Sequence, residues 1–111
     1  MKTRAKGNRV QLKAIKQLSA EGWLVGKTER MGKFVKEKDL FGIADIVAIK
    51  PQVVKFAQIT CNRPHTLKPY IEFANLFCGE GLQLEQWVWI DRKYWKIYYF
   101  GGGGYTINKK I

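Results

Sequence analysis

The stretch Asp39-Leu-Phe-Gly-Ile-Ala-Asp-Ile-Val-Ala-Ile-Lys-Pro-Gln-Val-Val-Lys-Phe-Ala-Gln-Ile-Thr60 decides how this chain folds. It reads as two apolar strands folded back on each other around Pro51-Gln52. A turn centred on those residues pairs positions whose numbers sum to 103, which sets Asp45 across from Gln58. Antiparallel partners share a face, so a carboxylate and an amide are expected to meet inside an otherwise apolar hairpin. A lone buried carboxylate is costly unless something compensates it, and a site or a hydrogen-bond network is therefore implied. Pro51 at the first central position is not the favoured two-residue hairpin, and an odd-length loop would put the pair on opposite faces.

Thr60 lies two residues past Gln58 and so on the same face. Upstream, residues 8–20 carry helical periodicity, with Gln11, Ala14, Ile15 and Leu18 on one stripe and Arg9, Lys13 and Lys16 off it. Gly22 ends that helix, and Trp23-Leu-Val begins a short strand. Gln11 is an odd residue on an apolar stripe. It points toward the sheet, where Asp45, Gln58 and Thr60 are expected to converge with it, although a polar residue can also lie at a stripe's margin. Residues 26–38 form a Lys-rich loop with glycines and no periodicity, expected to be mobile.

Downstream, Asn62-Arg-Pro-His-Thr is turn-like, and Tyr70, Phe73, Ala74 and Phe77 recur at helical spacing within 67–77. Residues 82–91 and 94–100 alternate large apolar groups around Asp91-Arg92-Lys93, a second hairpin. The run 101–104 is four glycines, read as a flexible hinge, and 105–111 as a tail or an edge strand. The order α, β, β, β, α, β, β describes one domain over residues 1–100, a mixed central sheet with helices packed on it, of the α/β or α+β class.

With 111 residues, 46% of them hydrophobic, the chain can bury a single core. No apolar run approaches the roughly 20 residues that span a bilayer, and Met1-Lys-Thr-Arg-Ala-Lys-Gly lacks the apolar segment of a signal peptide. No membrane partner and a cytoplasmic, intracellular location are therefore expected. Two cysteines are too few for a disulfide framework. The 20 Lys and Arg against 9 Asp and Glu give a formal charge of +11, which favours a polyanionic partner, nucleic acid being the commonest. The charge is concentrated: residues 2–38 hold 11 basic side chains and three acidic ones.

Several motifs together resemble a known family. Lys6-Gly7 followed by Gln11, the Asp45 strand, Gln58-Ile59-Thr60 after a short turn, Ile71-Glu-Phe-Ala-Asn-Leu-Phe before Gly79, and Tyr94-Trp-Lys-Ile-Tyr-Tyr-Phe are similar, in order, to the motifs of the archaeal-type Holliday junction resolvases of the PD-(D/E)XK nuclease superfamily. The resemblance implies a restriction-endonuclease-like α/β fold, a mixed central sheet flanked by helices, working as a homodimer on branched or four-way DNA. It also implies Mg²⁺, or Mn²⁺, assisting phosphodiester hydrolysis. The catalytic positions it assigns are Gln11, Asp45, Gln58 and Thr60, with Asp45, Gln58 and the Ile59 carbonyl on the metal. Lys2, Arg4, Lys6, Arg9, Lys13, Lys33, Lys36 and Lys38 would hold DNA phosphates.

Where the family has Glu, Asp, Glu and Lys, this chain keeps only the Asp. Amides for carboxylates remove two negative charges from a hard-cation site, and Thr60 cannot supply the charge of a lysine. A single preorganised donor is commonly worth about 10²–10³ in rate. Two readings follow. In one, an endonuclease draws a carboxylate from Glu29, Glu37 or Asp39 and an ammonium from Lys36, Lys38 or Lys50. In the other, a non-catalytic DNA-binding protein keeps the fold. A protein-interaction module with incidental basicity is a third.

The remaining candidates read as structure. Cys61, His65 and Cys78 are three soft donors where a structural zinc site wants four. Trp87, Trp89, Trp95, Tyr98 and Tyr99 could stack bases but fit a core or dimer interface better. The glycine run lacks the Lys-Ser/Thr and following helix of a phosphate-binding loop.

Overall fold

Helix α1 (Thr3–Ala20) buries Val10, Ala14 and Leu18, which recur every four residues, and leaves Gln11 and Ile15 half-buried beside them. The apolar stripe is thus centred one position before the one read from Gln11, and Gln11 sits at its margin. The helix closes in a Schellman motif. Trp23 N–H donates to the Leu18 carbonyl at 3.1 Å and Gly22 N–H to that of Ser19 at 3.0 Å, with Gly22 at φ 95°. A computed structural model describes residues 3–28 and 43–110, with side chains from residue 9 onward. Residues 29–42, which include 29–38 of the expected loop, lie outside the described residues, and Gly26 and Lys27 of that loop belong to a strand instead.

Strands β1 (Leu24–Lys27), β2 (Ile46–Lys50) and β3 (Val53–Cys61) form an antiparallel meander. Ile46 pairs with Ala57 and Lys50 with Val53, the register expected from a turn at Pro51-Gln52. Gln52 takes φ 66°, the sign a type II turn needs at its second central position, and Pro51 presets the first. Helix α2 (Lys68–Phe77) then carries the chain back, so that β4 (Leu82–Ile90) lies parallel to β3. β5 (Tyr94–Gly101) and β6 (Gly104–Lys110) complete, among the described residues, a mixed six-stranded sheet in sequence order. Among the described residues one helix packs on each face, and the protein is of the α/β class.

The reading of 101–111 as a hinge and tail is corrected. Gly101 pairs with Gly104 across Gly102 and Gly103, whose φ values of 62° and 86° make a tight hairpin turn with both central residues left-handed. The segment after it is the edge strand β6, one of the two alternatives weighed. Lys110 anchors it by an ion pair of 2.6 Å to Glu21.

Burial opposes charge on Glu21, but the Gln17 amide and the Lys110 ammonium outweigh it and hold the carboxyl below its ordinary 4.5. A depressed carboxyl stabilises the fold above its unfolded pKa, and that contribution is lost as pH falls through the folded one. Glu21→Gln should therefore flatten the acid limb of the stability curve below about pH 4.5 by roughly 0.5 kcal/mol, the scale of a half-exposed pair. Urea denaturation of both proteins across that range checks it.

Each face has its own core. Ala57, Ile59, Cys61, Trp87, Trp95 and Ile97 pack under α1, and Phe56, Leu84, Val88, Tyr98 and Phe100 under α2. Trp87 and Trp95 are almost wholly buried, with ring centroids 5.2 Å apart, which makes them core rather than a base-stacking platform. Tyr98 is likewise buried, and Tyr99 and Trp89 are half-buried against the α1 core. Among the described residues no helix is long and apolar enough to cross a membrane.

Candidate functional site

Asp45 stands in a bend just ahead of β2, held on both sides by its backbone. Its N–H donates to the Ala57 carbonyl at 3.0 Å, and its carbonyl accepts from Thr28 N–H at 3.1 Å. Ala57 is the β3 partner of the first β2 residue, so beyond it β3 turns an N–H toward space that β2 does not fill. The Asp45 carboxylate fills it. Oδ1 accepts from Ile59 N–H at 3.1 Å, and Oδ2 from the Gln11 side-chain amide at 3.0 Å. The carboxylate thereby extends the ladder past the end of β2 and ties α1 to it.

The expected convergence of four polar side chains on one face is corrected. Gln11 and Asp45 meet, whereas Gln58 and Thr60 belong to the α2 face. Gln58 is buried, and its carbonyl oxygen accepts from the Tyr70 hydroxyl at 3.3 Å. The Thr60 hydroxyl donates to the Arg63 carbonyl at 2.7 Å. The register is the expected one, but Asp45 has left the strand. A residue in the ladder opposite Gln58 would share its face; the bend frees Asp45 to turn its carboxylate to Ile59 and Gln11 instead.

Of the positions the resemblance assigns to a metal, Asp45 is the one carboxylate, its oxygens accepting from Ile59 N–H and the Gln11 amide, while Gln58 lies on the other face against Tyr70. Among the described residues no three His, Cys, Asp or Glu side chains are grouped to hold a metal. Cys61 and Cys78 pack on opposite faces of the sheet, and burial pushes the Cys78 thiol up. His65 is exposed, with its backbone clamped by the buried Gln86: His65 N–H donates to Gln86 Oε1 at 2.9 Å.

The sheet has two ends of different electrical character. At the Asp45 end lie the last residues of β3 and β4, the first of β5 and the last of β6. Exposed there are Arg63 and Lys68 after β3, Arg92 and Lys93 in the β4–β5 turn, and Lys109 on β6. Lys13 joins them from α1, its ammonium 4.5 Å from the Trp89 ring centre, and Arg9 lies one turn further along the helix. Asp45 and Asp91 are acidic side chains at this end, Glu72 follows Lys68 by one turn of α2, and Glu21 reaches Lys110 from just past α1. Of the basic residues expected to meet phosphate, Arg9 and Lys13 are thus placed. Arg4 and Lys6 lie on α1 with side chains outside the described set, and Lys2, Lys33, Lys36 and Lys38 lie outside the described residues, as do Glu29, Glu37 and Asp39.

The opposite end is balanced. A cleft of about 620 Å³ there is lined in part by Glu21, Trp23, Lys50, Lys55, Glu85 and Tyr99. Lys55 and Glu85, both buried, pair at 3.2 Å, Trp87 Nε1 donates to the other Glu85 oxygen at 2.8 Å, and Lys50 and Lys55 stand over the Trp23 ring. Burial first, and then the Glu85 charge, push the Tyr99 hydroxyl up. Lys50 therefore lies far from Asp45 along the sheet and is no substitute for a lysine beside it. Sequence reasoning passed over Lys55, Glu85 and Gln86, although each breaks an apolar strand pattern. It also passed over the basic residues after Thr60, because they gather only when four strand ends meet. Neither the known protein-family models nor the curated proteins include a match to this chain.

Proposed function

We propose that this chain is a structure-specific DNA-binding protein on a restriction-endonuclease-like sheet, with the Asp45 end as its DNA face and cleavage lost. One observation carries the reading: Arg9, Lys13, Arg63, Lys68, Arg92, Lys93 and Lys109 are exposed at one end of the sheet, with Asp45, Asp91 and Glu72 the acidic side chains near them among the described residues. A cationic face of that size attracts the phosphate backbone and releases counterions from it. The mixed sheet with a helix on each face is what the resolvase resemblance implies, and branched DNA is the substrate class that goes with it. A homodimer belongs to the same proposal; exposed Leu76 and Phe77, next to an apolar groove bounded by Phe56, Phe73 and Leu82, are surface it could bury.

The Gln11 to Asp45 hydrogen bond favours a second reading, a working endonuclease, because it joins two of the four resemblance positions. That reading needs further carboxylates from Glu29, Glu37 or Asp39.

Fluorescence anisotropy with a labelled four-way junction, titrated against excess unlabelled linear duplex, tests the first reading. Junction binding that survives the competitor is expected. Binding that the duplex abolishes removes structure specificity, and no binding at all removes the DNA reading.

A further inference from the structure

The two turns at the DNA end are locked to each other. Asn62, which follows β3, and Arg92, at the tip of the β4–β5 hairpin, both have left-handed backbones, at φ 63° and 62°. Asn62 Nδ2 donates to Asp91 Oδ2 at 3.1 Å, and Asp91 N–H returns a bond to Asn62 Oδ1 at 3.1 Å. Asn62 N–H is also held by the Trp89 carbonyl at 2.8 Å, and Lys93 N–H by that of Ile90 at 2.9 Å. An exposed pair of turns is thus pinned by four hydrogen bonds, with Arg63 projecting from one and Arg92 and Lys93 from the other.

Arg92 is the telling residue. It occupies the second central position of its turn, where a positive φ favours Gly or Asn and an ordinary side chain is strained. Asn62 tolerates that conformation; an arginine gains nothing locally from it, since its side chain is exposed and its backbone could be held equally by glycine. Gln52 takes nearly the same φ in the β2–β3 turn at the other end of the sheet, so the strain marks Arg92 only together with the lock and the exposed cations beside it.

We propose that Arg63, Arg92 and Lys93 form a preorganised two-pronged clamp on DNA backbone phosphates, positioned by the Asn62 to Asp91 lock. This rests on the DNA-binding reading and adds to it which residues grip and why they are fixed. Because the lock holds both prongs before binding, phosphate contact does not have to order two loops. The Asp91 carboxylate, engaged by Asn62, belongs to the lock rather than the grip.

Two variants separate charge from position. Arg92→Gly removes one cation and relieves the left-handed strain. It should weaken duplex and junction binding alike by roughly fivefold, the scale of one exposed charge pair, and reduce the slope of log K against log salt by about 0.9. Its melting temperature should not fall. Asn62→Gly keeps every charge and the turn's backbone freedom but cuts the lock, so affinity should drop with the salt slope unchanged. Wild-type protein that binds no DNA refutes the underlying reading. Wild-type protein that binds, with Arg92→Gly and Asn62→Gly binding as well as it does while Lys13→Gln is weakened, refutes the clamp alone. A lower melting temperature in Arg92→Gly, with binding unchanged, makes Arg92 structural and also refutes it.

Discussion

Lys55→Met leaves Glu85 buried without its ammonium, and stability is expected to fall by about 3–5 kcal/mol, the usual result of removing one partner of a buried ion pair. The side chains are only 9% and 4% exposed, so water cannot take the place of the lost charge. Methionine keeps most of the volume, which confines the effect to electrostatics and to the ammonium over Trp23. Adding Glu85→Gln should restore much of the loss, because the amide oxygen still accepts from Trp87 Nε1 and no charge remains unpaired. Urea denaturation of the two single variants and the double variant gives the coupling energy. Additive losses would show that the pair is not coupled, and that the far end of the α1 core is held by packing alone.

Binding to DNA should weaken about 10³–10⁵-fold between about 50 and 200 mM salt if six to ten phosphates are contacted, as the size of the basic face suggests. Reversing charge at that end, with Lys13→Glu and Lys109→Glu together, should abolish binding at the upper salt concentration and leave the fold intact, since both side chains are exposed. The same reversal at Lys50 should change affinity little, because that residue lies at the opposite end of β2. Anisotropy titrations at several salt concentrations separate the outcomes. A flat salt response, or equal losses from reversal at either end, would mean that the basic face is not where the polyanion sits.

The β2–β3 register was legible because a two-residue turn at Pro51-Gln52 fixes it, and the structure takes that turn rather than the odd-length loop the sequence also left open. What failed was the inference from register to shared face at Asp45, which holds only while both residues are in the ladder. A bend one residue before β2 turned the carboxylate to the Ile59 N–H that β2 leaves unmatched. That exchange depends on how far β2 extends, which no local pattern encodes. The parallel pairing of β3 with β4 was equally hidden, since a helical connection sets no register as a tight turn does. It places Gln58 beside Gln86 and gathers Arg63 with Arg92 and Lys93 at one end of the sheet. The glycine run was ambiguous for a different reason: the same four residues suit a hinge and a tight hairpin turn, and the pairing of β6 along β5 decides between them.

The Asp45 carboxylate accepts from Ile59 N–H and the Gln11 amide, and so extends a strand end and fastens α1. Removing it with Asp45→Ala leaves both donors without their partner, a loss of about 1–3 kcal/mol in stability. The most direct measurement incubates pure protein with a labelled four-way junction and the matching linear duplex, in Mg²⁺, in Mn²⁺ and in chelator, scoring binding and cleavage in the same samples. Salt-sensitive junction binding with intact DNA in all three conditions is the predicted result. Metal-dependent paired cuts in the junction, present in the wild type and absent in a folded Asp45→Ala protein that still binds, would contradict the account and make this end of the sheet an active site.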